Sequence, residues 1–182
     1  VFEDNITSAL YNYIFKNPTP QEEGRQQETY TMSLGYGGAI ANHSNAVISD
    51  SVFKNNIAAQ MGGAIYNVAD GTLELTGKNE FIGNKAYSEY FVVSTYKVNG
   101  ELVEGYDNDY NGFGGAISND GTLKVDGAKF DSNIAAIQGG AINSEGKTDG
   151  SGTGKLEVLN SSFSNNIAKS NRDSKIYDET NH

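Results

Sequence analysis

The sequence predicts an all-β chain that folds as a right-handed parallel β-helix, and three recurring patterns carry this prediction. Gly-Gly-Ala-Ile occurs four times and Phe-x-x-Asn five times in 182 residues. Between them lies a short segment of alternating apolar residues, which is typical of strands. One such strand buries too little surface alone, so successive repeats must stack as coils around a common core. Parallel crossovers favour the right hand, and the repeat number predicts about four to five coils in one domain spanning residues 1–182.

Each motif supplies one wall of the predicted core. Gly-Gly-Ala-Ile ends at Ile40, Ile65, Ile117 and Ile142, and the Phe column consists of Phe53, Phe81, Phe130 and Phe163. The alternating segments are Ala46-x-Ile48, Leu73-x-Leu75, Leu123-x-Val125 and Leu156-x-Val158. The Gly-Gly pairs do not predict a phosphate-binding loop, because no helical pattern follows them. They indicate close backbone approach or a positive φ.

The Asn residues of Phe-x-x-Asn recur at one fixed place in every coil. We expect them to form a structural ladder of side-chain amides, consisting of Asn56, Asn84, Asn133 and Asn166. Asn also tolerates the left-handed conformation that a sharp corner needs. A second ladder is predicted at Asn42, Asn67 and Asn119. The alternative, that these amides bind a ligand, is disfavoured by their strict repetition.

The combination of Gly-Gly-Ala-Ile with Phe-x-x-Asn resembles the repeats of the polymorphic outer membrane proteins, which are autotransporter passengers best known from chlamydiae. The resemblance covers nearly the whole chain outside two insertions. It implies a surface-exposed adhesin that is exported through an outer-membrane β-barrel, and therefore an extracellular or bacterial outer-membrane surface location. Its implied partner is a protein or glycan on a host or neighbouring cell.

Composition restricts the partners further. The net charge is −10 at pH 7 and the sequence pI is about 4.5. Binding to nucleic acid needs a basic surface, so we expect no nucleic-acid partner. No apolar run approaches 18 residues, so we expect no direct membrane insertion. The absence of Cys excludes disulfides and thiolate metal sites.

Two corners of the predicted helix carry insertions, over residues 7–36 and 85–113. Each insertion starts after a Phe-x-x-Asn motif and ends before the next Gly-Gly-Ala-Ile motif. The two insertions are two coils apart, so we expect their roots to lie about 10 Å apart. The second insertion is predicted to be a hairpin that turns at Asn99-Gly100. The first is predicted to open with a short helix over residues 8–15, followed by an extended segment over 29–34.

The insertions hold most of the tyrosines, nine of the 11 lying in or beside them. Aromatic loops on a rigid scaffold are common recognition sites. The candidate binding residues are Tyr11, Tyr13, Tyr30, Tyr90, Tyr96, Tyr106 and Tyr110. The alternative is that these rings pack the insertions into a small core of their own.

The acidic residues give only weak support to a calcium site or to an enzymatic activity. Asp107, Asp109 and Asn111 match the first half of a calcium loop, but its twelfth position is Ser118 instead of Glu. We therefore expect no cofactor, with calcium as the one candidate. No repeated carboxylate pair or nucleophile motif supports catalysis, so the chain is predicted not to be an enzyme, and a carbohydrate-active enzyme is the third alternative.

The coil ends suggest a second function. The first coil begins inside a Phe-x-x-Asn element, and residues 170–182 form a polar tail or cap. An uncapped coil exposes unpaired backbone that invites another strand. The alternative to an adhesin is therefore a self-assembling extracellular fibre subunit that associates through its coil ends.

Overall fold

The computed structural model describes residues 1–7, 9–15, 28–87, 92–98, 101–107, 112–145 and 154–169. These residues form strands and no helix, and the strands stack into four parallel sheets and one antiparallel sheet. The predicted parallel β-helix is confirmed, and its right hand stays a prediction from the crossover rule. None of the described residues belongs to a helix that could span a membrane.

The four parallel sheets are named here by the residue that each contributes to the core. The phenylalanine sheet consists of β1 (Phe2–Glu3), β7 (Val52–Lys54), β11 (Glu80–Ile82), β17 (Lys129–Asp131) and β21 (Ser162–Ser164). The alanine sheet consists of β2 (Ile6–Thr7), β8 (Ile57–Ala58), β12 (Lys85–Ala86), β18 (Ile134–Ala135) and β22 (Ile167–Ala168). The isoleucine sheet consists of β5 (Ile40–Asn42), β9 (Ile65–Asn67), β15 (Ile117–Asn119) and β19 (Ile142–Ser144). The leucine sheet consists of β6 (Asn45–Ser49), β10 (Thr72–Thr76), β16 (Thr122–Asp126) and β20 (Lys155–Leu159).

Each coil thus has four short strands where the sequence pattern predicts three. The additional strand is the Ile-Ala or Lys-Ala pair that follows the ladder Asn, as in β8 and β12. A corner at the Asn separates this pair from the preceding strand, and its backbone then pairs with the same residues of the next coil. Two residues are too short to register as a separate apolar pattern in the sequence.

The Phe column confirms the predicted register. Phe2, Phe53, Phe81, Phe130 and Phe163 occupy equivalent positions on successive strands. Neighbouring rings are nearly parallel, with centroids 4.8 Å apart. This distance is the spacing of hydrogen-bonded strands, so the backbone imposes the stacking of the rings. The three central rings are fully buried.

The other predicted walls are also in register. Ile40, Ile65, Ile117 and Ile142 align along the isoleucine sheet. Ile48, Leu75, Val125 and Val158 align along the leucine sheet. Buried members of these columns join the Phe rings in one continuous core, which is how a solenoid stabilises strands that are too short to fold alone.

The two glycines of each Gly-Gly pair have different roles. The first glycine is left-handed, with φ between 61° and 69° at Gly37, Gly62, Gly114 and Gly139. The second allows close contact between coils, because a Cβ on Gly63 would lie 2.1 Å from the carbonyl oxygen of Gly115. The sequence predicts a positive φ or a close backbone approach for these glycines. The structure shows a positive φ at the first glycine and a close approach at the second.

The Asn ladder is present, but the ladder residues are not the left-handed ones. Positive φ falls on the residue before each of them, at Asp4, Asn55, Gly83, Ser132 and Asn165. The expectation that the ladder Asn itself adopts this conformation is therefore wrong. The preceding residue turns the corner, which directs the Asn side chain into the coil interior, where Asn56, Asn84 and Asn133 are fully buried.

Each buried ladder Asn is saturated with hydrogen bonds. Asn84 Nδ2 donates to Asn133 Oδ1 (2.9 Å) and to the Phe53 carbonyl oxygen (3.0 Å). Asn84 Oδ1 accepts from the backbone N–H (3.0 Å) and Nδ2 (2.9 Å) of Asn56. The same pattern runs from Asn5 to Asn166. A second ladder links Asn42, Asn67 and Asn119 and ends on the Ser144 hydroxyl.

We expect Asn84→Asp to destabilise the chain by about 3 kcal/mol. The change preserves shape but removes both donors of Nδ2 and buries a charge against Asn133 Oδ1, and a buried group left without its partner costs about 1–3 kcal/mol. Urea unfolding followed by far-UV circular dichroism measures the loss.

Asn45→Ala is the matched control, because Asn45 is exposed and exposed substitutions typically change stability by less than about 0.5 kcal/mol. Equal unfolding midpoints for the two variants would contradict the structural role of the ladder.

Candidate functional site

Both insertions form hairpins, and the two hairpins combine into one sheet. In the first, β3 (Ala9–Phe15) pairs antiparallel with β4 (Glu28–Leu34). In the second, β13 (Val92–Val98) pairs antiparallel with β14 (Glu101–Asp107). β4 also pairs with β13, so the insert sheet has the order β14-β13-β4-β3. The insertions thus meet side by side on one edge of the β-helix.

The helix predicted over residues 8–15 is wrong, because Ala9–Phe15 is a strand. The segment contains two tyrosines, an isoleucine and a phenylalanine, which favour strands. Its seven-residue register with β4 satisfies its backbone on one side. The pairing joins residues about 20 positions apart, and a local pattern does not reveal it.

Gln60 holds the roots of the two insertions together. Its backbone N–H donates to the carbonyl oxygen of Gly35, where the first insertion rejoins the coil. Its carbonyl oxygen accepts from the N–H groups of Gly112 (2.7 Å) and Phe113 (2.9 Å), where the second insertion rejoins. Gln60 lies on the coil between the two insertions, at a corner that carries no insertion. Its buried Oε1 has no hydrogen-bond partner. No motif in the sequence indicates this role of Gln60.

The strand register places four candidate tyrosines on one face of the insert sheet. Tyr13 is paired with Tyr30, and Tyr30 with Ser94. Residues two apart on a strand share a face, so Tyr11 joins Tyr13, and Tyr96 joins Ser94. Tyr106 pairs with Val93 and falls on the opposite face. The remaining candidates, Tyr90 and Tyr110, lie outside the described residues.

The two edge strands of the insert sheet differ in charge. β3 contains no charged residue between Ala9 and Phe15, whereas β14 contains Glu101, Glu104 and Asp107. Charged residues protect an edge strand from pairing with other chains. β14 therefore carries this protection and β3 lacks it.

The candidate calcium residues are only partly described. Asp107 is the last residue of β14, and Asp109 and Asn111 lie outside the described residues. Within the described ranges, no group of three or more His, Asp or Glu side chains could hold a metal ion.

A shallow groove of about 330 Å³ lies on the outer surface of the leucine sheet. It is lined by Glu74, Lys124 and Glu157, which occupy one register position on successive strands. Lys124 Nζ lies 3.5 Å from Glu74 Oε1, and both side chains are at least 40% exposed. Exposed pairs of this kind contribute about 0–1 kcal/mol, so these residues form a solvated column of alternating charge.

A second aromatic group lies on the scaffold itself. The Tyr66 hydroxyl donates to Asp120 Oδ2 (2.7 Å), and the Tyr66 ring lies 5.3 Å from that of Tyr36. Burial raises the pKa of the Tyr66 hydroxyl, and the hydrogen bond to Asp120 raises it further. Burial and the negative charge of Asp120 also raise the pKa of Tyr36. Both phenols are therefore neutral at physiological pH.

The core columns are partly exposed in the first and last described coils. Phe163 is 49% exposed and Phe2 is 37% exposed, whereas the rings between them are inaccessible. The Asn ladder is open in a complementary way. Within the described part of the chain, Asn5 Oδ1 accepts no hydrogen bond and the Asn166 N–H donates none.

Comparison with known proteins identifies the repeat. Residues 50–68 match the family model of the Chlamydia polymorphic membrane protein (Chlamydia_PMP) repeat. The matched segment includes Phe53, the ladder residue Asn56 and the Gly-Gly-Ala-Ile motif at 62–65, which are the elements that build one coil corner. No curated protein and no solved structure matches the chain. Residues 50–68 therefore carry a repeat of the polymorphic membrane protein type.

Proposed function

We propose that the chain is a surface-exposed passenger of the autotransporter type that acts as an adhesin, with the insert sheet as its binding surface. The repeat match supports a surface passenger, since the matched family is named for membrane proteins. The observation that carries the adhesive role is the placement of Tyr11, Tyr13, Tyr30 and Tyr96 on one face of a sheet built from both insertions.

The scaffold makes this sheet a suitable recognition surface. Binding loses affinity when loops must be ordered, and a surface that is already held in place reduces that cost. The backbone of Gln60 fixes both insertion roots, and the pairing of β4 with β13 joins the hairpins. Tyrosine supplies apolar area and a hydroxyl with few rotatable bonds.

The proposed partner is a protein or glycan on a host or neighbouring cell, and the proposed activity is binding without catalysis. An acidic chain with a net charge of −10 does not suit a nucleic acid or an anionic membrane surface.

We expect the double variant Tyr13→Ala, Tyr30→Ala to reduce adhesion to cells about tenfold or more. Buried tyrosines at interface hot spots contribute about 2 kcal/mol or more each, and 1.4 kcal/mol corresponds to tenfold. Fluorescent beads coated with the chain are incubated with cultured epithelial cells, washed and counted.

Tyr106→Ala is the control, because the register places Tyr106 on the opposite face of the same sheet. Loss of adhesion in the double variant but not in Tyr106→Ala supports the assigned face. Unchanged adhesion in both variants, with circular dichroism spectra like that of the unmodified chain, contradicts the proposed function.

A second candidate function is self-association through the coil ends, which the open ladder favours. Among the described residues, Asn5 Oδ1 at one end accepts no hydrogen bond and the Asn166 N–H at the other end donates none. The exposed Phe2 and Phe163 rings extend the same columns. These ends fit each other head to tail, a heterologous contact that builds open filaments.

Sedimentation velocity over a concentration series tests this candidate. Concentration-dependent growth that is abolished by Phe163→Lys would support stacking at the ends, because a charge would replace an apolar contact. A single species of 19.5 kDa at every concentration would exclude self-association.

Parallel runs with and without calcium test the candidate site at Asp107, Asp109 and Asn111.

A further inference from the structure

Asp120 is a buried carboxylate without a counter-charge among the described residues. The residue is only 8% exposed, and the hydrogen bond that its carboxylate accepts from a described residue comes from the Tyr66 hydroxyl to Oδ2. The ion pairs between described residues join Lys54 to Glu3 and Lys124 to Glu74, so no described Lys or Arg lies within 4 Å of Asp120. A buried charge is costly unless a partner of opposite charge and hydrogen bonds compensate it.

A second unpaired polar group lies on the same side of the same sheet. Ser118 is the register partner of Tyr66 and lies two residues before Asp120, so all three share the outer face of the isoleucine sheet. Ser118 is 1% exposed, and its Oγ has no hydrogen-bond partner. Among the described residues, Asp120 Oδ1 therefore has no donor, and the Ser118 hydroxyl has neither a donor nor an acceptor.

Two aromatic rings, those of Tyr36 and Tyr66, lie beside Asp120. Tyr36 packs against Tyr66 and is itself 39% exposed, so one ring of the pair faces solvent. The hydrogen bond to Asp120 fixes the Tyr66 hydroxyl and holds the ring pair in place. A cation is attracted to the face of such rings within about 6 Å. The same fold already shows this contact, because Lys169 Nζ lies 5.8 Å from the centroid of the Tyr87 ring.

We propose that Tyr36, Tyr66 and Asp120 form a binding site for an organic cation, namely the guanidinium or ammonium group of a basic side chain on a partner protein. Such a group carries the donors and the positive charge that Asp120 lacks, while its apolar stem packs on the exposed Tyr36 ring. The site lies on the scaffold, so it does not depend on the adhesive role of the insert sheet.

The residues fit an organic cation better than a metal ion or a sugar. A hard metal ion takes six or more oxygen ligands, and this site offers one carboxylate. A sugar is neutral and would leave the charge of Asp120 uncompensated. The net charge of −10 also attracts basic partners over a longer range.

The experiment is a titration of the ¹⁵N-labelled full chain with N-acetyl-arginine amide or N-acetyl-lysine amide, followed by amide chemical shifts. We expect saturable shifts at residues 118–121 and at Tyr66. Neutral N-acetyl-citrulline amide, which has nearly the shape of the arginine probe, should bind at least about tenfold more weakly, since charge-assisted hydrogen bonds are about twice as strong as neutral ones.

Variants locate the effect. Asp120→Asn, which retains an acceptor for the Tyr66 hydroxyl, and Tyr36→Leu should each weaken binding about tenfold or more, and Tyr36→Phe should retain it. Asp70→Asn is the matched control, because it removes the same charge at an exposed turn of the neighbouring coil. Equal binding of the arginine and citrulline probes, or no saturable shift, would overturn the proposal.

The probe comparison is made on the unmodified chain, so it decides the question even if Asp120→Asn does not fold. Cation binding that persists in the double variant Tyr13→Ala, Tyr30→Ala would separate this site from the insert sheet, and loss of binding in that variant would count against an independent scaffold site.

Discussion

The structure depends on one constraint, which is that each coil places its residues directly above the equivalent residues of the coil before it. Backbone hydrogen bonds between parallel strands set a separation near 4.8 Å, and every column must use a side chain that tolerates its own copy at that distance. Flat rings do, and the Phe column repeats at 4.8 Å between centroids. Amides do as well, since each carries both a donor and an acceptor and can bond to an identical neighbour. The Gly-Gly pairs follow from the same constraint, because the backbones there leave no room for a Cβ.

The same constraint decides where the fold accepts additional sequence. An insertion within a column would break the stacking on both sides of it. Both insertions instead leave after the alanine sheet and return before the Gly-Gly corner, where the backbone of Gln60 reconnects Gly35 and Gly112 to the stack. Since the two roots lie on coils that flank Gln60, their hairpins are close enough to pair through β4 and β13. The repetitive scaffold thereby supports one non-repetitive surface. Sequence changes in that surface disturb the stacked core least.

Most of the coil could be predicted from the sequence because the motifs that form its walls occur four or five times. The columns of Phe, Ile and Asn are visible as spacing alone, and the structure places them in register. Features that occur once were not predictable in the same way. The strand at Ala9–Phe15 depends on a partner about 20 residues away, and the Tyr66–Asp120 hydrogen bond joins residues 54 positions apart, with no counterpart among the described residues of the other coils. The left-handed residue at each ladder corner lies one position before the Asn, where several residue types occur and leave no single motif to predict it from.

Amide hydrogen exchange of the ladder residues tests the central claim, that in-register amide and ring columns hold the coils together as one unit. The backbone N–H groups of Asn56, Asn84 and Asn133 each donate to the side-chain Oδ1 of the next ladder Asn. If the columns unite the coils, these three amides exchange only through global unfolding, with the same free energy as amides of the buried Phe strands. Exchange at separate, lower free energies would show that the coils open individually and would contradict the account.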